Sequence, residues 1–251
     1  MRRLQIPYRH GEGWTTSFDF FRPEGQDRVP LVALLHGGGW ISGDPCMMHD
    51  VAESMVSEGY AAACVGYRLA PLYPYPSAVE DVWNFIEYAR QNDAELGING
   101  DQIAAMGNSA GGYLAAMAGV ARDDAQRANA VIAICPITNI DHPRESHLPI
   151  SWSFIDQYMM LPYDGNEAVY REASPITHAR SGLPPFMVVH GEADDIVPCD
   201  QGIQFANALA AADNDVTLLR VPDEGHSFTL PAWNRIEAES IAFLRRVFAV
   251  A

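Results

Sequence analysis

Three residue types capable of acyl-transfer chemistry follow one another in a fixed order along this chain. Ser109 lies in "GNSAGG" (107–112), with a glycine two before and two after it. An apolar run precedes the segment and an alanine-rich run follows it, so the spacing predicts a sharp strand-to-helix turn. Glycines are required at 107 and 111 because the turn leaves no room for side chains against neighbouring elements. The same turn lifts the Ser109 hydroxyl above the sheet, at a helix N-terminus whose N–H groups face incoming negative charge. Taken alone, the segment could equally be a serine that caps a helix beside an ordinary turn.

A serine hydroxyl is too weak an acid to attack unaided. It needs a base, and the base needs a partner that fixes its tautomer and stabilises the imidazolium. "VVHGEADDIVP" places Asp194 after one apolar run, and "LLRVPDEGHSF" places His226 after the next. Both positions fall at expected strand ends, where open α/β sheets put their ligands. The order Ser, Asp, His is that of the α/β-hydrolases. Asp195 is the alternative acid, and Glu192, Asp223 and Glu224 are also near enough in sequence to orient His226.

The fourth requirement is a set of donors for the developing oxyanion. "LLHGGGWISGD" follows the first long apolar run, and its consecutive glycines let backbone N–H groups approach a negative oxygen without obstruction. The donors expected are Gly38, Gly39 and Ala110, the last being the residue after the nucleophile.

The elements that must hold these groups are legible as a rhythm. Apolar runs at 31–36, 61–67, 102–107, 130–136, 185–191 and 216–222 read as strands buried on both faces. Between them, segments 49–60, 77–92, 109–122, 200–213 and 234–248 carry apolar residues at helical spacing. This alternation predicts an α/β fold, a mostly parallel central sheet of about eight strands flanked by helices. "GWTTSFDFFRP" alternates instead, which predicts an antiparallel edge strand or hairpin. From about 137 to 184 the rhythm breaks into prolines, histidines and aromatics, and we expect a small lid insertion there within one domain spanning 1–251.

Composition narrows the function classes. A net charge of −16 argues against nucleic acid or an anionic membrane as partner. No apolar stretch approaches membrane-spanning length and no signal-like segment opens the chain, so the expectation is a cytoplasmic protein. Cys46, Cys64, Cys135 and Cys199 are widely spaced and read as reduced. His10, His49, His142, His147 and His178 show no metal-ligand spacing, so no metal is expected.

"HGGGW", "YRLAP", "GNSAGG", "HGEADDIVP" and "GHSF" together resemble, in order and over nearly the whole chain, the hormone-sensitive-lipase-like esterases of the α/β-hydrolase fold. The resemblance implies a carboxylic ester hydrolase that uses Ser109, Asp194 and His226 without a cofactor. It departs at Asn108, where many members carry an acid, and at Leu72, where Glu is common. Its short N-terminal part implies less cap over the site. An amidase of the arylformamidase type could use the same segments, and an interfacial lipase or a non-catalytic small-molecule binder on this scaffold are further alternatives.

The remaining residues have plainer readings. Trp40 directly follows the oxyanion glycines and is expected to face substrate, with Asn108 beside the nucleophile. Trp152 and Tyr158, with Phe154, either line the pocket or pack the lid onto the body. His36 and His190 sit at strand ends, where each ring is expected to hold a nearby loop. Arg68 should tie the proline-rich stretch 67–76 to a carboxylate. The expected substrate is a small ester, and edge strands leave a homodimer open.

Overall fold

The computed structural model describes residues 1–141 and 147–248; His142 lies outside the described residues. The chain opens with a hairpin, β1 (Arg2–Gly11) and β2 (Trp14–Phe21), then runs through β3 (Val29–Leu35), α1 (His49–Ser57) and β4 (Ala61–Val65). It continues with α2 (Ser77–Gln91), a one-turn α3 (Asp93–Leu96), β5 (Ile98–Asn108), α4 (Ala110–Val120) and β6 (Ala130–Ile134). After α5 (Pro149–Met159) and α6 (Glu167–Glu172) come β7 (Phe186–Gly191), α7 (Asp200–Ala211), β8 (Val216–Val221) and α8 (Leu230–Phe248).

Eight strands form one sheet in the order β1-β2-β4-β3-β5-β6-β7-β8. The pairs β1/β2 and β2/β4 are antiparallel and the others parallel. The antiparallel strand expected at 13–23 is β2, but it is interior rather than an edge: it pairs with β4 on one side and with β1, the true edge strand, on the other.

Alternation along the central strands divides the core in two. Leu31, Ala33 and Leu35 face a layer built from α2, α4 and α7, while Val32 and Leu34 face α1 and α8. Every residue of β3, β4, β6 and β7 is buried, as a two-face-covered parallel sheet requires. β8 corrects the expectation of uniform burial: it is the other edge, and only Val221 of its six residues is fully buried.

α4 carries the serine turn into the core. All eleven of its residues are buried, so the helix is apolar on every side and its small residues let it lie close to the sheet. The stretch 67–76 is anchored by Arg68, whose Nε donates to the fully buried Asp81 at 2.8 Å. Arg9 from β1 donates to the same carboxylate at 2.8 Å, which ties the hairpin to α2.

Residues 137–184 carry α5, α6 and a 3-10 turn at Pro175–His178. Among the described residues no helix is long and apolar enough to cross a membrane. All four cysteines are free.

Candidate active site

Parallel strands end on the same side of a sheet, so the segments after β3, β5, β7 and β8 share one end of this one. Those segments carry Gly38 and Gly39, Ser109, Asp194 and His226 respectively.

Ser109 sits between β5 and α4 at φ 56° and ψ −120°, a conformation that costs a non-glycine residue on the order of 1–3 kcal/mol. Its side chain makes no capping bond to its own helix, which removes the reading of Ser109 as a simple N-cap. Its N–H donates to the Ile134 carbonyl at 2.8 Å and its carbonyl accepts the Tyr113 N–H at 2.9 Å, so the turn is held from both sides. Close approach explains the glycines. A Cβ on Gly107 would lie 2.6 Å from the Leu35 carbonyl oxygen, and one on Gly111 would collide with that same oxygen.

The loop after β3 takes positive φ at Gly38 (116°), Gly39 (59°) and Trp40 (62°). Gly38 turns its carbonyl inward, where it accepts from the N–H groups of Ile41 and Ser42, both at 3.1 Å. The N–H groups of Gly38, Gly39 and Ala110 donate to no acceptor among the described residues. Uncommitted backbone donors in the loop after β3 and at the start of α4 are what an oxyanion would require.

The loop is braced by His36. Its buried ring is stacked on Tyr67 at 4.3 Å, and Nδ1 lies 2.7 Å from the Gly37 carbonyl oxygen. Burial lowers the pKa of His36 below the ordinary histidine value, against the smaller opposing effects of the Gly37 bond and Asp44. That is the loop-holding role the sequence suggests.

Asp194 and His226 meet. His226 Nδ1 lies 2.8 Å from Asp194 Oδ2, and the other carboxylate oxygen accepts the N–H groups of Ile196 at 2.9 Å and Val197 at 2.8 Å. Burial alone would raise the Asp194 carboxyl. Hydrogen bonds from His190, His226 and the Val197 N–H outweigh it and hold the group well below the usual carboxylate range. The neighbouring acids are otherwise engaged. Glu192 pairs with Arg220 at 2.8 Å, Glu224 accepts from Thr229 at 2.7 Å, and Asp195 and Asp223 are exposed.

Trp40 differs from expectation, while Trp152 and Tyr158 take the packing alternative. Trp40 has no exposed surface; it stacks on Tyr158 at 4.4 Å with 14° between the rings, and meets Tyr113 edge-on at 5.0 Å. Tyr158 is equally enclosed. Trp152 is buried and stacks on Tyr170 at 6.4 Å. Trp40 and Tyr158 thus stack against each other at the loop after β3, and Trp152 packs α5 onto α6. The half-buried Asn108 keeps its amide near Gly37, where a Cβ would lie 3.4 Å from Asn108 Nδ2. Phe154 of α5 reaches the same loop, against Gly39.

Among the described residues, Cys135, His190 and Asp194 form a group with metal-ligand chemistry, their ligand atoms all within 4.8 Å of one another. Both Asp194 oxygens already accept N–H groups, and His190 Nε2 lies 3.0 Å from the Val197 carbonyl oxygen. The trio is organised as the hydrogen-bonded surroundings of the acid rather than as an open ligand set. Sequence reasoning did not link Cys135 or His190 to Asp194; the i, i+4 spacing of His190 and Asp194 was the available signal.

Comparison with known proteins gives the family and the fold. The BD-FAE family model matches residues 18–209, a span that includes Ser109 and Asp194 and stops short of His226. Esterase LipQ of Mycobacterium tuberculosis is 30% identical over 233 residues, covering 86% of this chain and 54% of that protein. Carboxylesterase NlhH of the same organism is 30% identical over 246 residues, covering 90% of this chain and 76% of NlhH. The chain spans about half the length of several curated relatives it matches. The solved structure of the thermophilic esterase Est2 from the planctomycete Thermogutta terrifontis superimposes with a TM-score of 0.82 at 26% identity, covering 96% of this chain and 91% of that one.

Proposed function

The chain belongs to the BD-FAE family, and from that membership we propose that it is a serine carboxylic ester hydrolase acting on small, short-acyl esters through an acyl-enzyme. The observation that carries the reading is the 2.8 Å bond between His226 and Asp194, at the sheet end that also bears the strained Ser109.

Asp194 orients His226 through Nδ1, which leaves Nε2 as the base. His226 takes the Ser109 proton as Oγ attacks the ester carbonyl, and the N–H groups of Gly38, Gly39 and Ala110 receive the oxyanion. The tetrahedral adduct collapses, the C–O bond to the alcohol breaks, and the alcohol departs with the proton from His226. Water then adds to the acyl-enzyme by the same route, giving up a proton to His226, and releases the acid with Ser109 restored.

Two observations support short acyl groups. Phe154 lies against Gly39 and limits the room beside the oxyanion loop. The Thermogutta esterase has been observed with propionate and with butyrate bound.

The test is hydrolysis of p-nitrophenyl esters of graded acyl length by the wild type and Ser109→Ala, with an isosteric anilide alongside. The expected result is turnover of short esters and a loss of about 10⁴- to 10⁶-fold in kcat for the variant. A wild type that cleaves the anilide and leaves the esters intact would transfer the assignment to an amidase. Equal rates for the two proteins would overturn the nucleophile.

A further inference from the structure

His190 is the fifth residue of β7 and has no exposed surface. Its Nε2 lies 3.0 Å from the Val197 carbonyl oxygen and 3.3 Å from Asp194 Oδ2. A carbonyl and an ionised carboxylate can only accept, so Nε2 carries the hydrogen and shares it between them. On its other side the ring faces Gly202 of α7, where a Cβ would come within 2.7 Å of Nδ1. Nδ1 itself has no partner among the described residues, and a proton placed there would be buried with nothing to receive it. The ring is thereby a fixed Nε2–H donor that bonds the Val197 carbonyl and stands 3.3 Å from the carboxylate.

We infer that His190 is a positioning residue for Asp194, holding the very oxygen, Oδ2, that receives His226 Nδ1. This inference rests on the reading of Asp194 as the acid of the Ser109–His226 pair. The Ile196 and Val197 N–H groups fix Oδ1 from their own loop, while His190 fixes Oδ2 from the sheet. The carboxylate is then clamped from two elements before His226 arrives. The titratable groups facing it are His190, His226 and the Cys135 thiol, which burial keeps protonated.

Two donors on one oxygen divide its negative charge. Removing His190 leaves more of that charge to His226, which favours the imidazolium and moves the acid limb of kcat/KM to higher pH. A residue that merely filled space would alter stability and leave the limb in place.

The experiment compares His190→Phe, which keeps the ring volume without the donor, with His190→Gln, whose amide N–H reaches a similar point. Rates on p-nitrophenyl acetate are taken across the acid limb and normalised to sites titrated with an organophosphate, with Asp194→Asn in parallel. His190→Phe should lower kcat about 10- to 100-fold per titrated site and move the limb upward, with KM within about twofold. His190→Gln should recover most of both effects. Gly202→Ala crowds Nδ1 and displaces the ring without removing a donor; it should move the limb in the same direction, and it serves if His190→Phe does not fold. Wild-type kcat and limb in His190→Phe, or in Gly202→Ala where that variant stands in, would overturn the inference, as would a glutamine variant no better than phenylalanine. An active Asp194→Asn would instead remove the acid assignment beneath it, so the two failures are distinguishable.

Discussion

The ring of Phe154 stands where a side chain on Gly39 would have to go, 2.5 Å from a Cβ built there to Phe154 Cδ1. Ser151, one turn earlier on α5, donates its hydroxyl to the Ile196 carbonyl in the loop that holds Asp194. One short helix therefore braces both the oxyanion loop and the acid loop. The stretch that interrupts the αβ rhythm is the part that joins the two halves of the candidate site.

Gly39→Ala should test that brace. The methyl group meets the Phe154 ring and sits at φ 59°, so the loop must shift and misdirect its N–H donors. A loss of about 10²-fold in kcat is expected, comparable to removing one oxyanion donor. Adding Phe154→Ala removes the clash, so the double variant should be more active than the product of the single effects allows. Strictly multiplicative losses in the steady-state rates would show that the contact does not couple the two residues.

Ser109→Gly and Ser109→Ala should both be inactive yet differ in stability. At φ 56° and ψ −120° alanine keeps the strain and glycine loses it, offset in part by the greater freedom of glycine in the unfolded chain. The net difference is expected near 1 kcal/mol, or about 2–4 °C in Tm for a domain of this size. Thermal unfolding of the pair decides it: an alanine variant as stable as the glycine one means the turn stores no strain.

Asp194→Asn should reduce kcat by about 10⁴-fold, because the amide presents an N–H where His226 Nδ1–H needs an acceptor. Asp195→Asn, on an exposed neighbour, should change it less than about twofold. The same substitution should alter acid stability. The folded-state pKa of Asp194 is depressed, so its ionised form contributes stability above the unfolded value, about 3.9, and that contribution is lost as pH falls toward the folded one. Denaturant titrations below about pH 4 should show the wild type losing stability faster than Asp194→Asn. Parallel losses would contradict the depressed pKa.

Asp81→Ala should be a stability variant and nothing more. Its carboxylate has no exposed surface and accepts from Arg68 Nε, the Arg68 N–H and Arg9, so its loss leaves both cations with only the more exposed Glu80 between them. About 3 kcal/mol of destabilisation is expected, near the lower end for a broken buried pair because both arginines retain some solvent. Activity per titrated site at low temperature should match the wild type. A drop in kcat with an unchanged Tm would assign Asp81 to the site instead.

Seven of the eight strands and all five helices expected from the sequence are found close to their expected positions, and the reasons are local. "LVALLH" and "PFMVVHG" are apolar without interruption because both faces of β3 and β7 are covered, and that pattern is readable with no partner in view. β1 escaped recognition because the exposed edge of a hairpin carries no strong apolar signal: its ten residues are all exposed or half-buried. β8 misled in the opposite sense. "VTLLRVP" reads as apolar as a central strand, and its half-exposure follows from the absence of a ninth strand beside it, which no property of its own residues reveals.

At the site, the residue types and their order along the chain pointed to Ser109, Asp194 and His226 as candidates and to glycines wherever backbone must approach backbone. Those are properties of single segments, written in turn chemistry and in the period of the apolar residues. The tertiary structure decided which contacts those segments make with one another. It turned Trp40 inward onto Tyr158, laid Phe154 on Gly39, and directed His190 and His226 at the same oxygen of Asp194. Each of those relationships joins segments set by different elements, and a hydrogen bond or a ring contact exists or fails over a fraction of an ångström. Sequence spacing determines which face a residue presents, and packing of the whole sheet determines what that face meets.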